Sequence, residues 1–269
     1  MKNELLLTAL ASAAMAMFCS PHAMAADPVK VTPETYIRAE TDRAFNNAIK
    51  LAGGVNRLFH FRSVTPLDKQ TVVRMNRDTL YSAAIVDTSR GATITVPKMP
   101  DGRYFSVMMV DNDHYCPGVI YDAGTHKLPE DTKYLGLVVR IQLLKPTDPE
   151  DVALVNKLQD QFVIKAGSAD PLPEPKWDAA SLEKLTAAYK VEFDKYEKYP
   201  DGFMAARGKA DEKLRHLAVA GAWGLFRTST LFTSTITAGC RPRGTTPRRT
   251  RCRRTTPSGP SPCTARTDT

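Results

Sequence analysis

Residues 79–110 read TLYSAAIVDTSRGATITVPKMPDGRYFSVMMV, and this stretch decides the fold. Runs at 80–86, 93–96 and 104–110 are short and rich in β-branched and aromatic residues, the composition of strands. Ser89-Arg90-Gly91 and Pro100-Asp101-Gly102 separate them, and the second puts Pro and Gly where a tight turn uses them. A fourth run follows at 135–144. Successive strands joined by short turns, with no helix between them, pair antiparallel and close into a sandwich, jelly roll or barrel.

Working outward, the period becomes helical. Residues 32–52 predict a helix, with Thr32 as N-cap, Pro33 at the first helical position and Glu34 at the positive end of the dipole. Ile37, Ala44, Phe45, Ala48 and Ile49 fall at helical spacing, and Gly53-Gly54 stops the run. Residues 148–162 predict a second helix with Val152, Val155, Leu158 and Phe162 along one face. Pro171, Pro173 and Pro175 make a stiff linker, Asp178 caps a third helix, and residues 212–225 predict a short fourth. The fold class is therefore α+β: a mainly antiparallel jelly-roll or sandwich module with an N-terminal helix and a helical segment after it. The expected division is 1–25 leader, 26–146 helix plus β module, 147–226 helical segment and 227–269 tail.

The leader reads as a secretory signal peptide. Lys2 precedes an apolar run at 5–18, and Ala23-Met24-Ala25 offers an A-x-A cleavage site. The run is too short to cross a bilayer, so the expectation is a periplasmic or secreted protein, cut near Ala25, with no membrane span. A sequence pI near 9.2 would suggest a nucleic-acid partner. The charge is not distributed that way: residues 227–269 hold nine Arg and one Asp, and the remaining 226 residues balance 28 basic against 28 acidic side chains. The folded part is neutral, which argues against nucleic acid.

The tail itself is rich in Arg, Thr, Pro and Ser and carries Cys240, Cys252 and Cys263, an odd count for an exported arm. Its composition matches a GC-rich gene read out of frame. Residues 257–269 can be encoded so that a start at the third base gives Phe-Trp-Ser-Ile-Thr-Val-Tyr-Gly-Ala-Asp-Gly-Tyr, an alternating strand ending in a turn. The expectation is a frameshift that leaves the tail without a designed structure.

Asn76-Arg77-Asp78-Thr79-Leu80-Tyr81-Ser82, then Asp87, the Arg103-Tyr104 strand and Asp111, resemble the family catalogued as domain of unknown function 1254. Val139-Arg140 through Pro146, with Asp148, Pro149 and Asp151-Val152, is similar to one branch of it. Members usually continue into domain of unknown function 1214, which carries a Phe-Trp-Ser-x-Thr-Val-Tyr strand like the one in the other frame. The resemblance implies an exported, largely β protein of two modules, often a homo-oligomer, with no established reaction, metal or cofactor.

Two groups of residues could carry chemistry. Arg77, oriented by Asp78, could bind a carboxylate or sugar hydroxyls, with Asn76 and Tyr81 beside it; turn amides and core filling explain the same residues. Asp111, Asp113 and His114 could supply a general acid and base, with Tyr115 alongside; a solvated loop with an ordinary His explains the same residues. Cys116 lacks an adjacent base. There is no G-x-S-x-G, no phosphate-cradling Gly loop, no zinc-spaced Cys pair and no H-E-x-x-H. The leading expectation is a periplasmic β-module that binds a small polar ligand or a partner subunit. The alternatives are a hydrolase or lyase using Asp111, Asp113 and His114 with Arg77, and a frameshifted fragment without function.

Overall fold

A computed structural model describes residues 27–64, 76–197, 201–221 and 223–224. The leader and the tail read above lie outside the described residues. Helix α1 (Tyr36–Ala52) precedes strands β1 (Phe59–His60), β2 (Thr79–Asp87), β3 (Ala92–Val96), β4 (Phe105–Asp111), β5 (Val119–Ile120), β6 (Gly124–Lys127) and β7 (Tyr134–Gln142), and helix α2 (Pro149–Gln159), strand β8 (Val163–Ala166) and helices α3 (Ala179–Phe193) and α4 (Arg215–Gly221) follow. A five-stranded sheet runs β1-β2-β7-β4-β5 and a three-stranded sheet runs β6-β3-β8. Every ladder within them is antiparallel. This is the expected α+β class, realised as an open two-sheet sandwich.

β4 is buried along its whole length, and β2 and β7 are buried on one face and half-buried on the other at Tyr81, Ala83, Val138, Arg140 and Gln142, so all three read as largely apolar runs. One face, with Leu80, Ala84, Val107, Leu137, Val139 and Ile141, meets β3 through Ile94 and Val96, and α2 closes that core with Val155 and Leu158. The other face is covered by helices. Ile85 lies under Phe45 of α1, and a Cβ placed on Gly136 would stand 2.8 Å from the Phe45 ring. The glycine lets α1 lie close to the sheet there.

Helix boundaries follow their caps. Thr32 and Thr35 close a turn on each other, so α1 begins at Tyr36, three residues later than Thr32 and Pro33 predict. It ends where Gly53 takes a left-handed φ of 72° and donates its N–H to Ile49. Asp148 caps α2 and Asp178 caps α3, each accepting a backbone N–H. α2 stops at Gln159, so Phe162 enters the inter-sheet core from the chain leading into β8 rather than from a helix face. No helix among the described residues is long and apolar enough to cross a membrane.

Candidate functional site

The residues singled out as catalytic or ligand-binding fall at two ends of the same sheet. Asp111 ends β4, opposite Leu135 at the start of β7. Its backbone N–H donates to the Tyr115 carbonyl, and its own carbonyl accepts from His114 N–H. Oδ1 of its side chain accepts the N–H groups of Asp113 (2.9 Å) and Tyr115 (2.8 Å). One carboxylate thus satisfies the interior of a tight turn, the use Asp commonly serves in such positions. The turn forces His114 to a φ of 61°.

Three arginines hold this turn. Arg207 bridges Asp111 (3.0 Å) and Asp113 (2.9 Å), Arg38 of α1 pairs with Asp113, and Arg215 of α4 donates to the Asp113 carbonyl and to Glu212. Tyr115 lies between two guanidiniums, 4.2 Å from Arg207 and 3.6 Å from Arg215, and its hydroxyl donates to Glu212. Asn112 donates to Asp42 of α1, which also accepts from the Trp177 indole. Three guanidiniums therefore face three carboxylates, and the lattice neutralises its own charge.

The proton affinities fit a fastening better than a catalyst. Burial raises the Asp111 carboxyl against the pull of its N–H donors and Arg207. Burial also pushes Asp113 up, but the Arg207 hydrogen bond and the charges of Arg38 and Arg207 outweigh it and leave it below its ordinary value. His114 is enclosed, 1% exposed, and burial followed by the nearby charge of Arg215 lowers it to about 3. Its Nε2 accepts the Gly224 N–H at 3.3 Å, and its ring lies 5.4 Å from that of Trp223. The neutral imidazole therefore carries its proton on Nδ1, which has no hydrogen-bond partner among the described residues. A base sealed in this way has no route to a substrate proton.

The other group lies far from this turn. Thr79 pairs with Gln142 and Asp87 with Tyr134, so Arg77 and Asp78 lie off the end of β2 opposite to the 111–115 turn, roughly 25–30 Å away by strand rise. Asn76, Arg77 and Asp78 are exposed. Arg77 and Asp78 line a cleft of about 250 Å³ with Val64, Pro146 and Thr147. The structure therefore brings Asp111, Asp113, His114 and Tyr115 together and keeps Arg77 apart from them.

Tyr81 belongs to a third setting. It pairs across the sheet with Arg140, and Arg140 with Ser106, so the three side chains form one row, on the face of the sheet that Phe45 of α1 packs against further along. Gln142 and Tyr104 occupy the next rung, where Tyr104 N–H donates to Gln142 Oε1 at 3.2 Å. The Arg140 guanidinium lies 5.6 Å from the Tyr81 ring centroid, and the Tyr104 and Tyr121 rings are 6.4 Å apart. Burial lowers Arg140, and the hydroxyls of Tyr81, Tyr104 and Tyr121 act against that shift. Ser106 is fully buried, and its Oγ has no hydrogen-bond partner among the described residues. Two rungs further on, the same face carries Ala83, Val138 and Met108, then Ile85, Gly136 and Val110, under Phe45, Met204 and Trp223. Sequence reasoning named Tyr81 but not Arg140, Ser106, Tyr104 or Tyr121 as site residues. The available signal was a lone charge inside the run at 135–144.

No curated protein matches the chain. Its fold is similar to that of the VPA0106 protein from Vibrio parahaemolyticus, with 14% identity and a TM-score of 0.46 over 71% of this chain and 66% of that one. It is also similar to an uncharacterised protein from Burkholderia cenocepacia, with 18% identity and a TM-score of 0.30 over 56% of this chain and 45% of that one. The matched region is thus just under two thirds of the first protein and less than half of the second. Residues 55–117, which include Tyr81, Ser106 and the 111–115 turn, match the model of the family described as protein of unknown function (DUF1254).

Proposed function

We propose that this chain is the sandwich module of an exported protein and that it binds a small polar ligand at the Tyr81 end of the five-stranded sheet, without acid–base chemistry of its own. One observation carries the reading: along a single face of β2, β7 and β4, side chains change from apolar under the helices to Tyr, Arg, Ser and Gln within two rungs. In that row the Ser106 hydroxyl is buried with no hydrogen-bond partner among the described residues, and a buried polar group left unsatisfied calls for a function. The hydrolase or lyase alternative requires Arg77, Asp113 and His114 to converge, and the strand register and the burial of His114 both speak against it.

Export after cleavage near Ala25, assembly as a homo-oligomer, and pairing with a second module of the domain of unknown function 1214 type belong to the same proposal. So does the frameshift: sequencing the coding DNA around the codon for Phe226 tests it. A soluble product that melts cooperatively would count against a fragment without function.

Ligand binding is tested by thermal melts of the full chain against a panel of small polar compounds, since a ligand that binds only the native state raises Tm. The reading expects a rise that Tyr81→Leu abolishes and His114→Asn preserves. A rise that depends on Asp113 and His114 and ignores Tyr81 would overturn it.

A further inference from the structure

We propose that Trp223 and Gly224 form an acid-released latch: protonation of His114 frees them from the sheet face they cover, while α4 stays in place. The inference stands apart from the ligand reading. Trp223 packs on Met108, Val110, Cys116 and Met204, and its ring centroid lies 6.3 Å from that of Phe45. Gly224 lies over the same spot, where a Cβ would stand 3.3 Å from Met108 Cε. What ties the pair to the 111–115 turn is one long hydrogen bond, 3.3 Å, from Gly224 N–H to His114 Nε2. A protonated imidazole carries hydrogens on both nitrogens, so a proton on Nε2 sets donor against donor. The charged groups around the turn are already engaged. Asp111 serves Arg207 and two backbone N–H groups, Asp113 serves Arg38 of α1 and Arg207, and Glu212 serves Arg215 of α4 and Tyr115. The new charge would therefore meet the like charge of Arg215, which, after burial, holds His114 down to about 3. Two more donors at this contact, His114 Nδ1 and Trp223 Nε1, are buried without hydrogen-bond partners among the described residues. Release gives both to water and relieves that cost. α4 is held separately: Leu217, Ala218 and Val219 are at most 2% exposed, packed among Phe193, Phe203, Tyr36 and Leu182.

The experiment follows hydrogen exchange of the Gly224 amide and the Trp223 indole by NMR on the full chain, from about pH 7.5 to about pH 5. Each rate is divided by that of an unstructured peptide at the same pH. A group that regains its ordinary value of 6.5 on opening raises the opening constant about tenfold per pH unit below that value, so both rates are expected to rise about 30-fold by about pH 5. The Trp177 indole, which donates to Asp42, and the Leu217 and Val219 amides are expected to stay flat. His216, also on α4, lies against the Tyr189 ring at 4.4 Å, so a rise that it drives appears in the α4 amides. His114→Asn loses the tie and is expected to exchange faster at Gly224 at every pH, with no rise towards acid. A flat profile for the parent chain would overturn the proposal whatever the variant does. So would Gly224, Trp177 and the α4 amides rising together, which is opening of the whole helical layer, or an acid rise that His114→Asn keeps.

Discussion

His114→Asn should flatten the acid sensitivity of this protein. In the native state His114 is neutral and lowered to about 3 from an ordinary 6.5. The unfolded chain takes up a proton near pH 6.5, whereas the native chain resists it until about pH 3. Below the unfolded value, the denatured state therefore binds more protons, and stability present above pH 6.5 is lost as pH falls. The slope is about 1.4 kcal/mol per pH unit, so this residue alone removes about 2 kcal/mol by roughly pH 5. His60 and His216 are also lowered, chiefly by burial, and act in the same sense, so the variant must be compared with the parent at each pH. Asn is a suitable replacement because it tolerates the left-handed backbone that position 114 adopts. At neutral pH the loss of the ring contact with Trp223 and of the Gly224 hydrogen bond should cost about 1–3 kcal/mol. Urea melts followed by tryptophan fluorescence at pH values from about 7.5 down to 4.5 measure both effects. The reasoning predicts that the variant's deficit shrinks and then reverses as pH falls. Parallel stability curves across that range would refute it, because they would mean that His114 titrates normally in the native state.

Other perturbations separate the structural roles argued above. Arg103 and Asp151 form an ion pair at 2.7 Å with side chains 1% and 9% exposed. Arg103→Met should cost about 3–5 kcal/mol by stranding the carboxylate, and the Arg103→Met/Asp151→Leu double variant should recover much of it in chemical denaturation. Asp111→Ala removes the acceptor for two backbone N–H groups inside a buried turn and should cost about 2–4 kcal/mol. Arg207→Ala, whose side chain is 54% exposed, should cost less than about 1 kcal/mol; equal losses for the two would contradict the account of the turn. Gly136→Ala brings a methyl to 2.8 Å from Phe45 and should cost about 1–3 kcal/mol, visible as a lower urea midpoint with unchanged slope.

Much of this architecture is legible in the sequence, for identifiable reasons. β2, β4 and β7 are the central strands of the sheet and largely buried, so their apolar runs are long and unambiguous. α1, α2 and α3 announce themselves through spacing and through Gly53, Asp148 and Asp178. β6, read Gly-Thr-His-Lys and largely exposed, carries no burial pattern, and β1 and β5 have two residues each. β8 is hidden because Val163 to Ala166 directly follow a helical period and only the partner strand β3 makes them extended. The Asp111–Tyr115 cluster is visible as a cluster, but its meaning depends on Arg38, Arg207 and Arg215, which arrive from three distant places in the chain. His114 looks like a surface acid–base residue until the turn is seen to aim it inward. Arg140 and Ser106 become neighbours only once the β7–β4 register is known.

Where a ligand lands on this sheet tests the account most directly. The measurement is a two-dimensional amide and arginine side-chain NMR map recorded while a small polar compound that raises Tm is added to the full chain. The account predicts shifts centred on Tyr81, Tyr104, Ser106, Tyr121 and the Arg140 Nε–H signal, with residues 111–115 unmoved. Shifts centred on Asp111, Asp113 and His114, with the Arg140 row silent, would contradict it.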